Sequence, residues 1–333
     1  MSHVTYAQTI ITGFIQGVTE LFPISSLGHN VLIPAVIGGS WAKNLNVSAP
    51  AYLAFIVGLH VATAIAMIVY FWRDWIRIIG GFFSSLRDRR VQTPSQRLAW
   101  MIIIATIPVG IVGVVAQHAF QEIFAKAVVA AYLLMINGVI LFAAEKLRPR
   151  ASRRADEQVL GEQELAEQRE YAMVSADQRM SVGRHASGYQ AARRQEYGQA
   201  LQADVRLSQV GFLNGLLIGA TQILALLAGI SRDGVVMAGG MFRGLARVDA
   251  ARFSFLLSAP VILAAGVLKA KDLTGPAANG MHMEILVGSV VAAVSAYLTL
   301  RFLLRYLQTR TLYPFAIYCV LAGLFSAIYL TLK

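Results

Sequence analysis

The chain has 333 residues, of which 56% are hydrophobic and only 14% charged, and its mean hydropathy is +0.58. That composition excludes an ordinary soluble domain and describes an all-α polytopic membrane protein. The formal net charge of +11 would suggest nucleic acid in a soluble protein, but here the arginines collect in loops. The positive-inside rule accounts for them, and no nucleic-acid partner is expected.

The N-terminus lacks a basic n-region and a small-residue cleavage site, so no signal peptide is expected. The first apolar stretch, about 7–38, is broken by Gly, Pro and polar residues, which predicts a helical hairpin that dips into the membrane and returns. Segments of roughly twenty mostly apolar residues, each long enough to span the hydrocarbon core, follow near 51–71, 98–116 and 126–144. The polar segment 145–206 predicts a solvated insertion, partly helical or a linker, without chemistry of its own. A second broken stretch, 207–243, predicts a second hairpin, and spans near 250–268, 285–300 and 312–332 complete a set of six. Cys319, in the last span, can form no intramolecular disulfide and reads as a small core residue.

Arginine placement sets the orientation. The loop after the first span carries Arg73, Arg77, Arg87, Arg89, Arg90 and Arg97 against Asp74 and Asp88, and the loop before the last span carries Arg301, Arg305 and Arg310. Both are expected to be cytoplasmic, with 145–206, while the connections around 117–125 and 269–284 are expected outside; Lys269 and Lys271 run against that assignment. The first hairpin then enters from the outer face and the second from the cytoplasm. This predicts an inverted repeat, 1–144 and 207–333, each half a hairpin plus three spans, separated by the 145–206 insertion. Gly13-Phe14-Ile15-Gln16-Gly17 echoes Gly211-Phe212-Leu213-Asn214-Gly215, and Thr19-Glu20 echoes Thr221-Gln222 with a few extra residues between.

Each hairpin carries a polar island that would be costly in hydrocarbon without a purpose. In the first, Glu20 precedes the helix-ending Pro23 and can bind a divalent cation or accept a proton. Ser25 and Ser26 follow in a loop where their hydroxyls can reach a ligand. His29 adds a group that moves protons near neutral pH. The remaining histidines have weaker claims, His60 because it sits in a span without polar company. In the second island, Ala228-Gly229-Ile230-Ser231-Arg232-Asp233-Gly234, the planar fork of Arg232 suits phosphate oxygens, and Gly229 and Gly234 let backbone amides approach the same anion. The competing assignment for Arg232 is a buried ion pair with Asp233 or Glu20. Glu, Ser, His and Arg in one membrane pocket suit phosphoryl transfer from a lipid phosphate.

Gln16-Gly17-Val18-Thr19-Glu20-Leu21-Phe22-Pro23-Ile24-Ser25-Ser26-Leu27-Gly28-His29 resembles E-G-x-T-E-F-x-P-x-S-S-T-G-H, the first motif of the undecaprenyl-diphosphate phosphatase family of bacitracin-resistance proteins. The second island resembles that family's P-G-x-S-R-S-G, and Arg252-Phe253-Ser254-Phe255-Leu256-Leu257 its R/E-F-S-F-L-L. The resemblance implies a multi-pass protein of the bacterial cytoplasmic membrane, open to the outer face, that hydrolyses undecaprenyl diphosphate to recycle the carrier for wall polymers. It implies Glu20 as the essential carboxylate, Ser26 as nucleophile or phosphate contact, His29 in proton transfer and Arg232 as the diphosphate grip. Ser25, Gly229, Ser231 and Gly234 are expected to bind substrate. It also implies a divalent cation, Mg2+ or Ca2+, with Glu20 as ligand. The expected partners are the polyprenyl diphosphate and membrane lipids, and a homodimer is left open.

Four positions depart from the motifs: Gln16 replaces a glutamate, Leu27 a threonine, Ala228 a proline and Asp233 a serine. Asp233 is expected to face Gln16 and restore the carboxylate count at the site. Phosphatidic-acid phosphatases share a Ser-Arg element but need a histidine soon after the arginine, and none lies between Arg232 and Arg252. A lipid-diphosphate binder or flippase with weak or no phosphatase activity is the alternative, since opposed hairpins are also transporter architecture.

Overall fold

The computed structural model describes residues 4–46, 49–115, 126–180, 198, 200–271, 275 and 280–333. Six helices among them are long and apolar enough to cross a membrane: α4 (Pro50–Tyr70), α6 (Pro94–Val115), α7 (Ala127–Leu147), α12 (Arg247–Leu268), α13 (His282–Thr309) and α14 (Tyr313–Leu332). All six expected spans are present, displaced by a few residues at their ends. The first broken stretch is α1 (Tyr6–Leu21), a turn, and α2 (Ser26–Ile37), followed by the short α3 (Gly39–Asn44). Thr5 and Gln8 form a capping box that starts α1, with bonds of 3.0 and 3.2 Å. The second is α10 (Phe212–Ala220), a 3-10 turn (Thr221–Leu226) and α11 (Arg232–Phe242). A preceding helix, α9 (Ala200–Ser208), meets it at 95°.

Glycines set how closely the helices approach. A Cβ on Gly17 would stand 2.4 Å from the Ala292 carbonyl oxygen of α13, and one on Gly219 would stand 2.1 Å from the Ala105 oxygen of α6. The helices α7 and α14 cross reciprocally: Gly138 lies against Ala316, and Gly323 against Ala131. These close approaches give helix packing in the absence of a strong hydrophobic drive within lipid. The pairings recur in exchange-related sets, α1 on α13 with α10 on α6, α4 on α13 with α12 on α6, and α2 on α14 with α11 on α7.

The packing glycines also correct the register of the internal echo. Gly215 and Gly219 press on α6 as Gly13 and Gly17 press on α13, whereas Gly211 adopts φ +79° ahead of α10. Gly17-Val18-Thr19-Glu20 therefore corresponds to Gly219-Ala220-Thr221-Gln222, with no extra residues between.

Two other expectations change. The arginine-rich loop after the first span is a 17-residue helix, α5 (Trp72–Asp88), whose Trp72, Ile76, Ile79, Phe83 and Leu86 form an exposed apolar stripe. Spacings of four, three, four and three put them on one face. The 145–206 segment is not a free insertion at its ends. Its first residues end α7 and the helix α8 (Arg150–Met180) follows, and Ser152 and Asp204 are fully buried. Asp204 accepts from Arg252 at 2.7 Å and from Arg77 at 3.1 Å, and Arg247 donates to Glu145 and Asp156. The ion pairs explain the docking, because each charge buried there is matched. Residues 181–197 and 199 lie outside the described residues, as do the connection around 117–125 and most of 272–279.

Replacing Gly17 by alanine is expected to force α1 and α13 apart and cost about 1–3 kcal/mol. A lowered thermal midpoint in detergent checks this; an unchanged midpoint would show that the contact yields freely.

Candidate functional site

The hairpin turns bring both polar islands together. Gly28 and Gly229 touch backbone to backbone, since a Cβ on Gly28 would stand 2.9 Å from the Gly229 Cα. Gly229 itself has φ +111°, with no room for a side chain beside the Ala130 carbonyl oxygen, so glycine is required there. Ser25 caps α2 and accepts from the amides of Gly28 and Gly229, both at 3.2 Å. Asn137, buried in α7, spans the two turns: it donates to the Pro23 carbonyl at 2.8 Å and accepts from the Ser231 amide at 2.9 Å. Ser231 caps α11 by accepting from the Gly234 amide at 3.1 Å. The N-termini of α2 and α11 thus meet, and both favour negative charge.

Glu20 lies at the centre, in the last turn of α1 and buried. Its Oε2 accepts from the Ser26 hydroxyl and from Gln16 Nε2, the latter at 2.9 Å. Its Oε1 faces Arg232 at 3.3 Å. His60 Nδ1 lies 2.9 Å from the Ile56 carbonyl oxygen, which can only accept, so that nitrogen carries a hydrogen. Its Nε2 stands 3.3 Å from Glu20 Oε2. The ring and the carboxylate thus lie within ion-pairing distance.

Glu20, Ser26 and Arg232 therefore meet as expected, and Arg232 does pair with Glu20. Ser26 opens helix α2 instead of standing in a loop. His29 takes a different place. Its Nδ1 bonds the Ser25 carbonyl at 2.7 Å and its Nε2 the Tyr318 hydroxyl at 2.8 Å; no hydrogen bond joins it to Ser26 or Glu20 among the described residues. The imidazole on the carboxylate is His60, which corrects the reading of that residue as lacking polar company. The signal was present in the sequence, a titratable group within a span. Asn137 carried a related one, a polar amide within a span. Tyr318 carried none.

Ser25, Gly229, Ser231 and Gly234 pin the two turns to each other and to α7, and the amides of Gly229 and Gly234 are engaged by serine oxygens. No hydrogen bond joins Gln16 to Asp233 among the described residues. It accepts from Asn30 at 2.6 Å and donates to Glu20, so a neutral donor stands where a second carboxylate would crowd the first. Asp233 accepts from Ser254 at 2.6 Å and Ser258 at 2.7 Å and ties α11 to α12. Leu27 and Ala228 pack in the core, as does Cys319, whose sulfur is 3.4 Å from Asn137. No group of three or more His, Cys, Asp or Glu side chains able to hold a metal occurs among the described residues.

Residues 9–325 match the family described as bacitracin resistance protein BacA. A Mycolicibacterium paratuberculosis protein named undecaprenyl-diphosphatase is 49% identical over 334 residues, covering 100% of this chain and 99% of that protein. A Frankia alni protein named undecaprenyl-diphosphatase 2 is 46% identical over 97% of both chains. One from Burkholderia ambifaria with the same name is 35% identical over 95% of this chain and 94% of its own.

Replacing Asn137 by alanine strands the Ser231 amide and the Pro23 carbonyl in an apolar interior. At about 1–3 kcal/mol for each of the two buried unpaired groups, the loss is expected to lower stability by roughly 2–6 kcal/mol. Unfolding in detergent measures it, and a near-neutral effect would mean that the two turns are held without Asn137.

Proposed function

The chain belongs to the bacitracin resistance protein BacA family, and we propose that the cluster around Glu20 is where it hydrolyses undecaprenyl diphosphate to undecaprenyl phosphate and phosphate. That activity returns the lipid carrier to cell-wall synthesis and opposes bacitracin. The observation that carries the assignment is the Ser26 hydroxyl bonded to the Glu20 carboxylate beside Arg232, with residues about two hundred positions apart brought into contact.

Ser26 Oγ attacks the terminal phosphorus while Glu20 takes its proton. The bond from that phosphorus to the bridging oxygen breaks, and undecaprenyl phosphate leaves. Water then attacks the phosphoserine, releasing phosphate, with Glu20 and His60 handling the proton. Arg232 has one hydrogen bond, to Glu20, among the described residues, and its other donors can grip the phosphate oxygens. His29, held by Tyr318, positions Ser25 and the start of α2.

A divalent cation, Mg2+ or Ca2+, fits this donor set only as a shared ion. Glu20 Oε1 has a single, long hydrogen bond among the described residues and lone-pair capacity to spare, and the remaining ligands would be diphosphate and water oxygens. Bound there, the ion neutralises diphosphate charge. We further place the protein in the bacterial cytoplasmic membrane as an inverted repeat of 1–144 and 207–333 with two re-entrant hairpins and its site open to the outer face. The exchange-related helix pairings and the arginine distribution support that arrangement.

Phosphate release from undecaprenyl diphosphate by the purified protein is expected to require Mg2+ or Ca2+, to stop with chelator, and to fall roughly 10²–10⁴-fold in Ser26→Ala, Glu20→Gln and Arg232→Ala. Folded protein that releases no phosphate would instead be a lipid-diphosphate binder or flippase. Phosphorylated Ser26 should be trappable by acid quench; direct transfer of solvent oxygen without that intermediate would make water the nucleophile. His60→Leu is expected to slow turnover roughly tenfold or more, with His60→Gln, which keeps a donor facing Glu20, losing less. Equal rates in both His60 variants and the parent would remove His60 from the chemistry.

A further inference from the structure

About ten residues along α4 from His60, some 15 Å at helical rise, a cavity of about 580 Å³ opens where α4 meets α5. Six arginines line it: Arg73, Arg77, Arg206, Arg252, Arg301 and Arg305. Four carboxylates hold three of these guanidiniums. Asp74 and Asp204 take Arg77 and Arg252, and Asp249 and Glu162 take Arg206. Arg301 and Arg305, one turn apart on α13, have no ion-pair partner among the described residues and leave the cavity with a surplus of positive charge.

Two features bear on the kind of anion this pair fits. The exposed apolar stripe of α5, beginning at Trp72 on the cavity wall, is of the kind that amphipathic helices present to a membrane interface. The same two arginines also border a shallow depression of about 470 Å³ on the surface of α13, lined as well by Leu298, Phe302, Tyr306, Thr309 and Arg310. A charged pair beside the exposed apolar side chains of Leu298 and Phe302 matches a phosphate with attached hydrocarbon better than a freely soluble ion.

We propose that Arg301 and Arg305 hold the headgroup phosphate of an anionic phospholipid, with its acyl chains along the α13 surface beside Leu298 and Phe302. The planar forks suit bidentate contact with phosphate oxygens. Neither arginine belongs to the catalytic cluster, so this site does not depend on the phosphatase assignment.

The test is the thermal midpoint of delipidated protein in detergent, titrated with phosphatidylglycerol, phosphatidylcholine or inorganic phosphate. Phosphatidylglycerol is expected to raise the midpoint saturably where the other two do not. The double variant Arg301→Gln, Arg305→Gln should need about tenfold more of it or above, a loss of about 1.4 kcal/mol or more. Arg89→Gln with Arg90→Gln removes equal charge from exposed positions at the end of α5 and should titrate like the parent. Equal stabilisation by phosphatidylcholine, an equal loss in the Arg89 and Arg90 control, or a shift reproduced by inorganic phosphate would overturn the proposal. If the glutamine pair does not fold, Arg301→Lys with Arg305→Lys keeps the charge without the fork and should bind with intermediate affinity; parental affinity there would overturn it as well.

Discussion

A single carboxylate buried in an apolar interior organises this molecule. Glu20 can remain charged there only if donors surround it, and its own helix supplies just Gln16. The others come from α2, α4 and α11, as Ser26, His60 and Arg232. Satisfying one charge therefore draws four helices to one point, and that convergence brings a hydroxyl and a guanidinium within reach of a common phosphate. The demand that stabilises the fold is the same demand that assembles the chemistry.

Close backbone approach makes the convergence possible. Gly17 sits less than a turn before Glu20 and presses α1 onto α13, while Gly229 sits just before Arg232 and presses the second turn onto α7. Side chains at either place would hold the turns apart and leave Ser25 and Asn137 without their amide partners. The serines and glycines of the motifs are in this sense mostly architectural. They fix the relative positions of Glu20, Ser26 and Arg232, and their own hydrogen-bonding capacity is largely used in doing so.

What the sequence revealed follows from this division. Spans and polar islands are local, and hydropathy together with the cost of polar groups in hydrocarbon located all of them. Which groups meet across the fold is not local. Nothing near His60 announces a carboxylate forty residues earlier, and Tyr318 becomes a partner of His29 only through the packing of α14. The arginines of α5 looked like loop charge because positive-inside reasoning counts residues without asking whether an apolar stripe interleaves them. Asp204 looked like part of a solvated linker because its partners, Arg77 and Arg252, lie on distant helices. The internal echo was visible but displaced by four residues, since glycine spacing repeats along each hairpin and only packing contacts choose between registers.

The corrected register shows why the two hairpins contribute unlike groups. The counterpart of Glu20 is Gln222, also buried, whose amide nitrogen reaches only the Gly219 carbonyl at 3.3 Å and whose oxygen lacks a hydrogen-bond partner among the described residues. A second carboxylate at 222 would bury a charge without the donors that Glu20 enjoys. One hairpin instead carries the proposed base and nucleophile and the other the guanidinium, so the charges of Glu20 and Arg232 offset each other. An arriving diphosphate then brings more negative charge than Arg232 and two helix N-termini can offset, and this charge balance is the physical ground for proposing that a divalent cation arrives with the lipid instead of residing in a protein cage.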